Sequence, residues 1–134
     1  MNTILSIIVC CRNEIHTIEK ILDKINKLSL IHPWKKEVII VDNCSTDGTR
    51  EILSKINRED TTVIFQEKNI GKGHSIKTGI KYCNGHFVIP QDGDLEYDPN
   101  DIKRILSGAI KILEGARQES RDSDGKYDEW IENA

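Results

Sequence analysis

The 134-residue chain lacks any long apolar run. Its longest, Leu5 to Cys11, falls far short of the roughly 20 residues that a membrane-spanning helix needs. No charged, apolar, small-residue secretory pattern opens it. The chain also lacks an excess of one charge: 19 Lys and Arg stand against 22 Asp and Glu, a net of −3. At the level of composition this excludes both a nucleic-acid footprint and a polybasic membrane surface, so an anionic ligand has to be held locally. Cys10, Cys11, Cys44 and Cys83 form no CxxC pair, which argues against a zinc site and for free thiols. Repeats and low-complexity tracts are missing too. The expected setting is a soluble cytoplasmic protein without a nucleic-acid partner.

What is present supports folding. The length allows one domain, and Leu, Ile, Val and Phe supply 37 of the 134 residues, above the level at which a chain stays disordered. Residues 114–134 hold seven acidic and three basic side chains, so the acidity belongs to the tail. Residues 1–113 are expected to be the folded domain. Residues 114–134 are expected to be a weakly ordered acidic tail, with a short helix near Tyr127 to Ile131, or the start of a further half.

Apolar segments rich in β-branched residues recur at Ile4 to Val9, Glu37 to Val41, Thr61 to Phe65 and His86 to Pro90, and predict four buried strands. Helical periods lie between and after them. These are Ile18 to Leu28, Ile52 to Ile56, Gly73 to about Tyr82, and Ile102 to Leu113, where Ile102, Ile105, Leu106, Ala109, Ile110 and Leu113 share a face. Alternating strand and helix predicts a parallel α/β sheet covered by helices on both faces. In such sheets ligands bind beyond the carboxyl ends of the strands, where strand order reverses. The segments that follow each strand are therefore the candidate site.

Asp92-Gly93-Asp94 comes straight after the fourth strand. Two carboxylates one spacer apart can share a hard divalent cation, with phosphate oxygens completing its shell and Glu96 joining directly or through water; a solvated acidic turn is the alternative. A calcium loop is excluded because Tyr97 stands where glycine is needed and Lys103 where a bidentate Glu is needed. Asp98, Pro99 and Asn100 read as a helix start. Asp42 ends the second strand and can accept hydrogen bonds from a ribose or base edge. A dinucleotide fold is excluded because Cys11-Arg12-Asn13-Glu14, after the first strand, contains no glycine. Ser45, Thr46 and Asp47 read as capping residues of the second helix. Gly71-Lys72-Gly73-His74-Ser75 lacks the order of a Walker loop. It remains open between a helix-start anion cradle helped by Lys72 or Lys77 and a loop with a solvated lysine. His16, His32 and His86 read as surface or turn residues.

The order of these motifs resembles the nucleotide-binding half of the inverting glycosyltransferases of family 2, which have the GT-A fold. The carriers are SIIV, Arg12-Asn13-Glu14, VDNCSTDGT, NIGKGHSIKTGI and GHFVIPQDGDLEYDPNDI. Within the family the pattern is similar to the polyprenyl-phosphate sugar transferase branch that includes dolichyl-phosphate mannose synthase, over roughly residues 3–113. The resemblance implies a Rossmann-like GT-A sheet cut short after the DxD region. It implies transfer of a sugar from a UDP- or GDP-sugar to an acceptor such as a polyprenyl phosphate or a glycan precursor, at the cytoplasmic membrane face if peripheral. It assigns Asp42 to the uracil or guanine base, with Asn43 beside the nucleoside. Arg12, Asn13 and Glu14 would line the nucleoside, and Lys72 or Lys77 would face the diphosphate. Asp92, Asp94 and Glu96 would hold Mg²⁺ or Mn²⁺, with Asp92 also on the nucleotide. Asp42 is expected to select the nucleoside without stabilising the fold.

The chain departs from the family at three places: Cys10 stands for the usual proline, Asn43 for a second aspartate, and Gly93 for the common alanine. The family's catalytic base belongs to its second half, so no residue is assigned to it; within this chain Asp122, Asp124, Asp128 and Glu129 are the first acids to search. The alternative reading is a catalytically silent nucleotide-binding or assembly module that needs a partner.

Overall fold

A computed structural model describes residues 3–30, 34–93, 98–108 and 111. Asp94, Glu96, His32, the continuation of the last helix towards Leu113 and the tail with Asp122, Asp124, Asp128 and Glu129 lie outside the described residues. The chain divides into two compact units, Met1–Asn100 and Asp101–Ala134.

In the first unit the elements run β1 (Thr3–Cys11), α1 (Ile18–Lys27), β2 (Trp34–Asn43), α2 (Thr49–Ser54), β3 (Thr61–Gln66), α3 (Lys72–Ile80) and β4 (Phe87–Asp92). All strand pairs are parallel, in the order β3-β2-β1-β4. The predicted alternation thus holds, but the strands are not equally buried. β1 and β2 are central and covered on both faces, as their near-continuous apolar runs require. β3 and β4 are the edges, and Phe65, Val88 and Pro90 are exposed. An apolar run signals a strand without saying how many neighbours it will have.

Two side-chain layers flank the sheet. Ile8, Ile39 and Val41 form one, with Cys10, Ile64 and Cys83 packed against it; α3 lies on this side against β1 and β2. Leu5, Ile7, Val9, Val38 and Ile40, the alternate residues, point the other way. Ile18, Ile21, Leu22 and Ile25 of α1 are buried on that side, where Leu22, Val38 and Ile40 border a small cavity of about 140 Å³. The α1 C-terminus is tied back by the Lys36 ammonium, which donates to the carbonyls of Asn26 (3.1 Å) and Leu28 (2.7 Å).

In the second unit residues 101–108 are helical, with Ile102 and Leu106 buried and Ile105 exposed. The turn ahead of it has the expected local bond, with the Asn100 amide donating to Asp98 (3.0 Å). No helix among the described residues is long and apolar enough to cross a membrane.

α3 approaches the sheet tightly at Gly79. A Cβ on Gly79 would lie 2.9 Å from Ile8 Cγ2 and 3.3 Å from Val41 Cγ2, inside van der Waals range of two central strands. Gly79→Ala is therefore expected to lower stability by about 1–3 kcal/mol through overpacking, read as a shift of the urea midpoint. An unchanged midpoint would mean that α3 moves outward at no cost.

Candidate nucleotide site at the strand ends

The chain runs β1 to β2 to β3 and then returns to the far side of β1, so strand order reverses between β1 and β4. A cavity of about 330 Å³ opens there, lined by Cys10, Cys11, Arg12, Glu14, Asn43, Lys72, Ser75, Asp92 and Gly93. The register explains the assembly: Cys10 pairs with both Val41 and Asp92, and Cys11 with Asp42. The carboxyl ends of three strands thus deliver their last residues to one place, as open α/β sheets do.

Two cations and two carboxylates meet in the wall. Lys72, at the start of α3, forms an ion pair with Asp92, whose side chain is 21% exposed. Arg12 donates to the carbonyls of Asn43 (2.8 Å) and Cys44 (3.1 Å), which fixes its guanidinium over the end of β2. The Asn43 amide group donates to Asn69 Oδ1 (2.7 Å) and accepts from the Ile70 amide (3.1 Å), joining β2 to the loop before α3. Ser75 donates to Gln66 Oε1 (2.7 Å). Burial pushes the Cys10 thiol up to about 11, Asp92 adding to the rise and Lys72 opposing it, so this cavity residue is a protonated thiol at neutral pH.

Gly93 is required by its neighbours. A Cβ there would sit 2.8 Å from Cys11 Cβ and 3.3 Å from the Cys10 carbonyl. Its amide donates to that carbonyl (3.1 Å) and its own carbonyl accepts from Thr17 Oγ1 (2.9 Å). The start of the acidic loop is thereby clamped between β1 and the start of α1.

Asp42 is enclosed by partners of its own. Its side chain is wholly buried, and it accepts from the Ser45 hydroxyl, the Ser45 amide (3.1 Å) and the Cys11 thiol (3.7 Å), with Arg50 Nε at 3.4 Å. It is not among the residues lining the cavity; its neighbour Asn43 is. Ser45 Oγ also accepts from the Asn13 amide (2.9 Å), and Asn13 Oδ1 accepts from the Thr46 amide (2.7 Å). Asn13 (φ 53°) and Cys44 (φ 58°) both sit in the left-handed region, a conformation that non-glycine residues hold only when their surroundings impose it. The capping expectation is corrected for Ser45 and Thr46; Asp47 does accept from the amide of Thr49, the first residue of α2. α2 opens on Gly48 with φ 104° and no side-chain cap, while Ser45 and Thr46 bond the turn after β1. Asp47 accepts from the Thr49 hydroxyl (2.6 Å) and amide (3.0 Å) and from the Ile15 amide (3.2 Å). These three residues tie two loops together.

Of the expected site residues, Arg12, Glu14, Asn43, Lys72 and Asp92 come together at the cavity. Asn13 stands behind it as a loop tie, Lys77 lies along α3 away from it, and Asp94 and Glu96 are outside the described residues. Cys10, Cys11, Ser75 and Gly93 in the wall, and Thr17 and Arg50 behind it, were not among the expected site residues. Gly93 carried a signal as a glycine between two aspartates, and Ser75 as the end of the Gly71 to Ser75 segment.

The chain matches the model of Glycosyl transferase family 2 over residues 6–127. It belongs to that family. A curated relative is the dodecaprenyl-phosphate galacturonate synthase of Rhizobium johnstonii, 28% identical over 125 residues, covering 88% of this chain and 37% of the relative. Among solved structures, S. aureus TarS 1–349 in complex with UDP-GlcNAc is similar with a TM-score of 0.67 at 28% identity, covering 87% of this chain and 32% of that one. The mannosyltransferase PcManGT from Pyrobaculum calidifontis, in complex with GDP-Man and Mn²⁺, has a TM-score of 0.66 at 28% identity, covering 84% and 33%. The fold is thus the α/β architecture of GT-A glycosyltransferases, and the chain spans well under half the length of the curated relatives it matches.

Two outcomes follow from the loop ties. Asp42→Ala strands the Ser45 donors and Arg50, so stability is expected to fall by about 2–3 kcal/mol in urea denaturation, discounted because Arg50 is one-third exposed. This reverses the expectation of a carboxylate free of structural duty, and a loss below about 1 kcal/mol would restore it. The second concerns pH. The Thr49 hydroxyl bond, aided by the Thr49 and Ile15 amides, holds Asp47 below the usual carboxylate range. Its tie is therefore complete above the ordinary carboxylate pKa and is lost as pH falls through the lowered folded value. The protection of the Ile15 amide, its exchange rate taken relative to the intrinsic rate at each pH, should fall on acidification, and Asp47→Asn should abolish that pH step.

Proposed function

We propose that this chain is the donor-binding part of a sugar-nucleotide transferase, taking a UDP- or GDP-sugar in the cavity at the ends of β1, β2 and β4. The observation that carries the reading is the Lys72–Asp92 pair in the wall of that cavity, at the point where strand order reverses. An ammonium there suits a diphosphate. The carboxylate beside it suits a divalent cation bridging that diphosphate.

Mg²⁺ or Mn²⁺ fits the donor set. Asp92 offers a hard, partly exposed oxygen ligand facing the cavity. No cluster of three or more His, Cys, Asp or Glu side chains among the described residues is arranged to hold an ion alone, so phosphate oxygens would complete the shell with Asp92, Asp94 and Glu96 as the protein's share. When bound, such an ion offsets the charge that develops on a departing nucleoside diphosphate. The protein's own groups do the positioning. Lys72 leaves Asp92 for the phosphates, Arg12 holds the end of β2 in place, and the Asn43 amide ties that end to the loop before α3. Asp42 acts from behind, holding the turn that carries Asn13.

The acceptor is proposed to be a polyprenyl phosphate or a glycan precursor, in keeping with the name of the Rhizobium relative. No catalytic base is assigned. Residues 1–134 by themselves are expected to bind donor while transferring sugar very slowly or not at all, since general-base assistance supplies about 10²–10⁴-fold.

Titration calorimetry with UDP and GDP tests the donor reading. Binding is expected with Mn²⁺ or Mg²⁺ and at least tenfold weaker in EDTA, a difference of about 1.4 kcal/mol. Asp92→Asn should remove the metal dependence. Equal affinity with and without metal would sink the bridging role of Asp92, and no binding of either nucleotide would sink the donor site.

A further inference from the structure

The near-balance of charge conceals a stretch without a single acid. From Lys68 to Gln91 the sequence holds 24 residues with four lysines, two histidines and no Asp or Glu, bounded by Glu67 and Asp92. The other 110 residues hold 15 Lys and Arg against 22 acids. The uneven partition centres on α3.

α3 turns Ser75 and Gly79 to the sheet, both buried. At 3.6 residues per turn the opposite side carries Gly73, Lys77, Ile80 and Lys81, all exposed. Ile80 is 50% exposed, Tyr82 just beyond it 51%, and Ile70 just ahead of the helix 48%. Single exposed apolar side chains need no explanation. Here, four of the six large apolar residues most open to solvent among those described fall in the acid-free stretch, and three of them, Ile70, Ile80 and Tyr82, belong to α3 or its flanks. Lys68, Lys77 and Lys81 form no ion pair among the described residues.

We propose that the outward side of α3, flanked by Lys68 and Ile70 before it and Tyr82 after it, docks on an anionic lipid bilayer. Both halves of the surface then find partners: lysine ammonium groups meet lipid phosphates, and Ile70, Ile80 and Tyr82 enter the boundary between headgroups and acyl chains. A nucleic acid would satisfy the lysines and leave the isoleucines in water. Lys72, which begins α3, also lines the cavity, so docking along this helix would bring the cavity near the headgroups. The proposal rests on charge and exposure and stands whether or not the cavity takes a nucleotide.

Flotation with phosphatidylcholine vesicles, with and without phosphatidylglycerol, tests it. The chain is expected to float only with the anionic vesicles and to be released by salt. Lys77→Gln and Lys81→Gln should each weaken partitioning about fivefold, from ~1 kcal/mol per lysine near an anionic surface. Ile80→Ser should weaken it without changing the salt dependence or, being exposed, the urea midpoint. In a Tyr82→Trp variant, brominated lipid should quench emission beyond that of the parent protein. Equal flotation with neutral vesicles, or anionic binding untouched by both lysine substitutions, would overturn the proposal. So would salt-sensitive binding that ignores Ile80→Ser, shows no quenching and is matched by single-stranded RNA, which marks a general polyanion surface. Nucleotide calorimetry on the same preparation reads the donor site independently.

Discussion

A carboxylate with no access to water, at the end of the second strand, governs the arrangement around it. Burying Asp42 is tolerable only because two Ser45 donors and Arg50 meet it. Satisfying it bends the chain after β2 into a conformation that places Ser45 under the Asn13 amide and Thr46 beside the Asn13 side chain. The left-handed backbones of Asn13 and Cys44 are the cost of that geometry, borne by the bonds among Asp42, Ser45, Thr46 and Asn13. The site wall depends on these ties, because Arg12 and Glu14 flank Asn13 and Asn43 follows Asp42.

The three departures from the family pattern acquire reasons or consequences in this setting. Cys10 faces the cavity as a half-buried, protonated thiol beside Lys72 and Asp92. Asn43 replaces a charge with an amide that binds the loop before α3 from both its donor and its acceptor; a second carboxylate so close to Asp42 would have needed its own cation. Gly93 is the residue that allows β4 to close against β1, where a side chain of any size would strike Cys11.

Charge is distributed by function along the chain. Opposite signs are interleaved in the cavity wall, where Lys72 and Arg12 stand with Asp92 and Glu14. On the outer side of α3 only one sign is present, mixed with apolar side chains. Net charge averages these regions to near zero, so composition misses both.

Much of the fold was written in local pattern. The near-continuous apolar runs of β1 and β2, the helical period of Ile18 to Ile25, and the polar segments after each strand follow from backbone periodicity and the need to bury apolar side chains, which one sequence displays. Arg12, Glu14, Lys72 and Asp92 were legible for the same reason: they sit at strand ends, where parallel sheets gather ligands. Other features depended on residues far apart in sequence. That β3 and β4 are edges, that Asp42 turns inward while Asn43 faces the cavity, and that Ser45 and Asp47 bind the first loop follow from strand order and register. Adjacent residues on a strand point to opposite faces, and only the pairing of β1 with both β2 and β4 decides which strand ends meet to form the site.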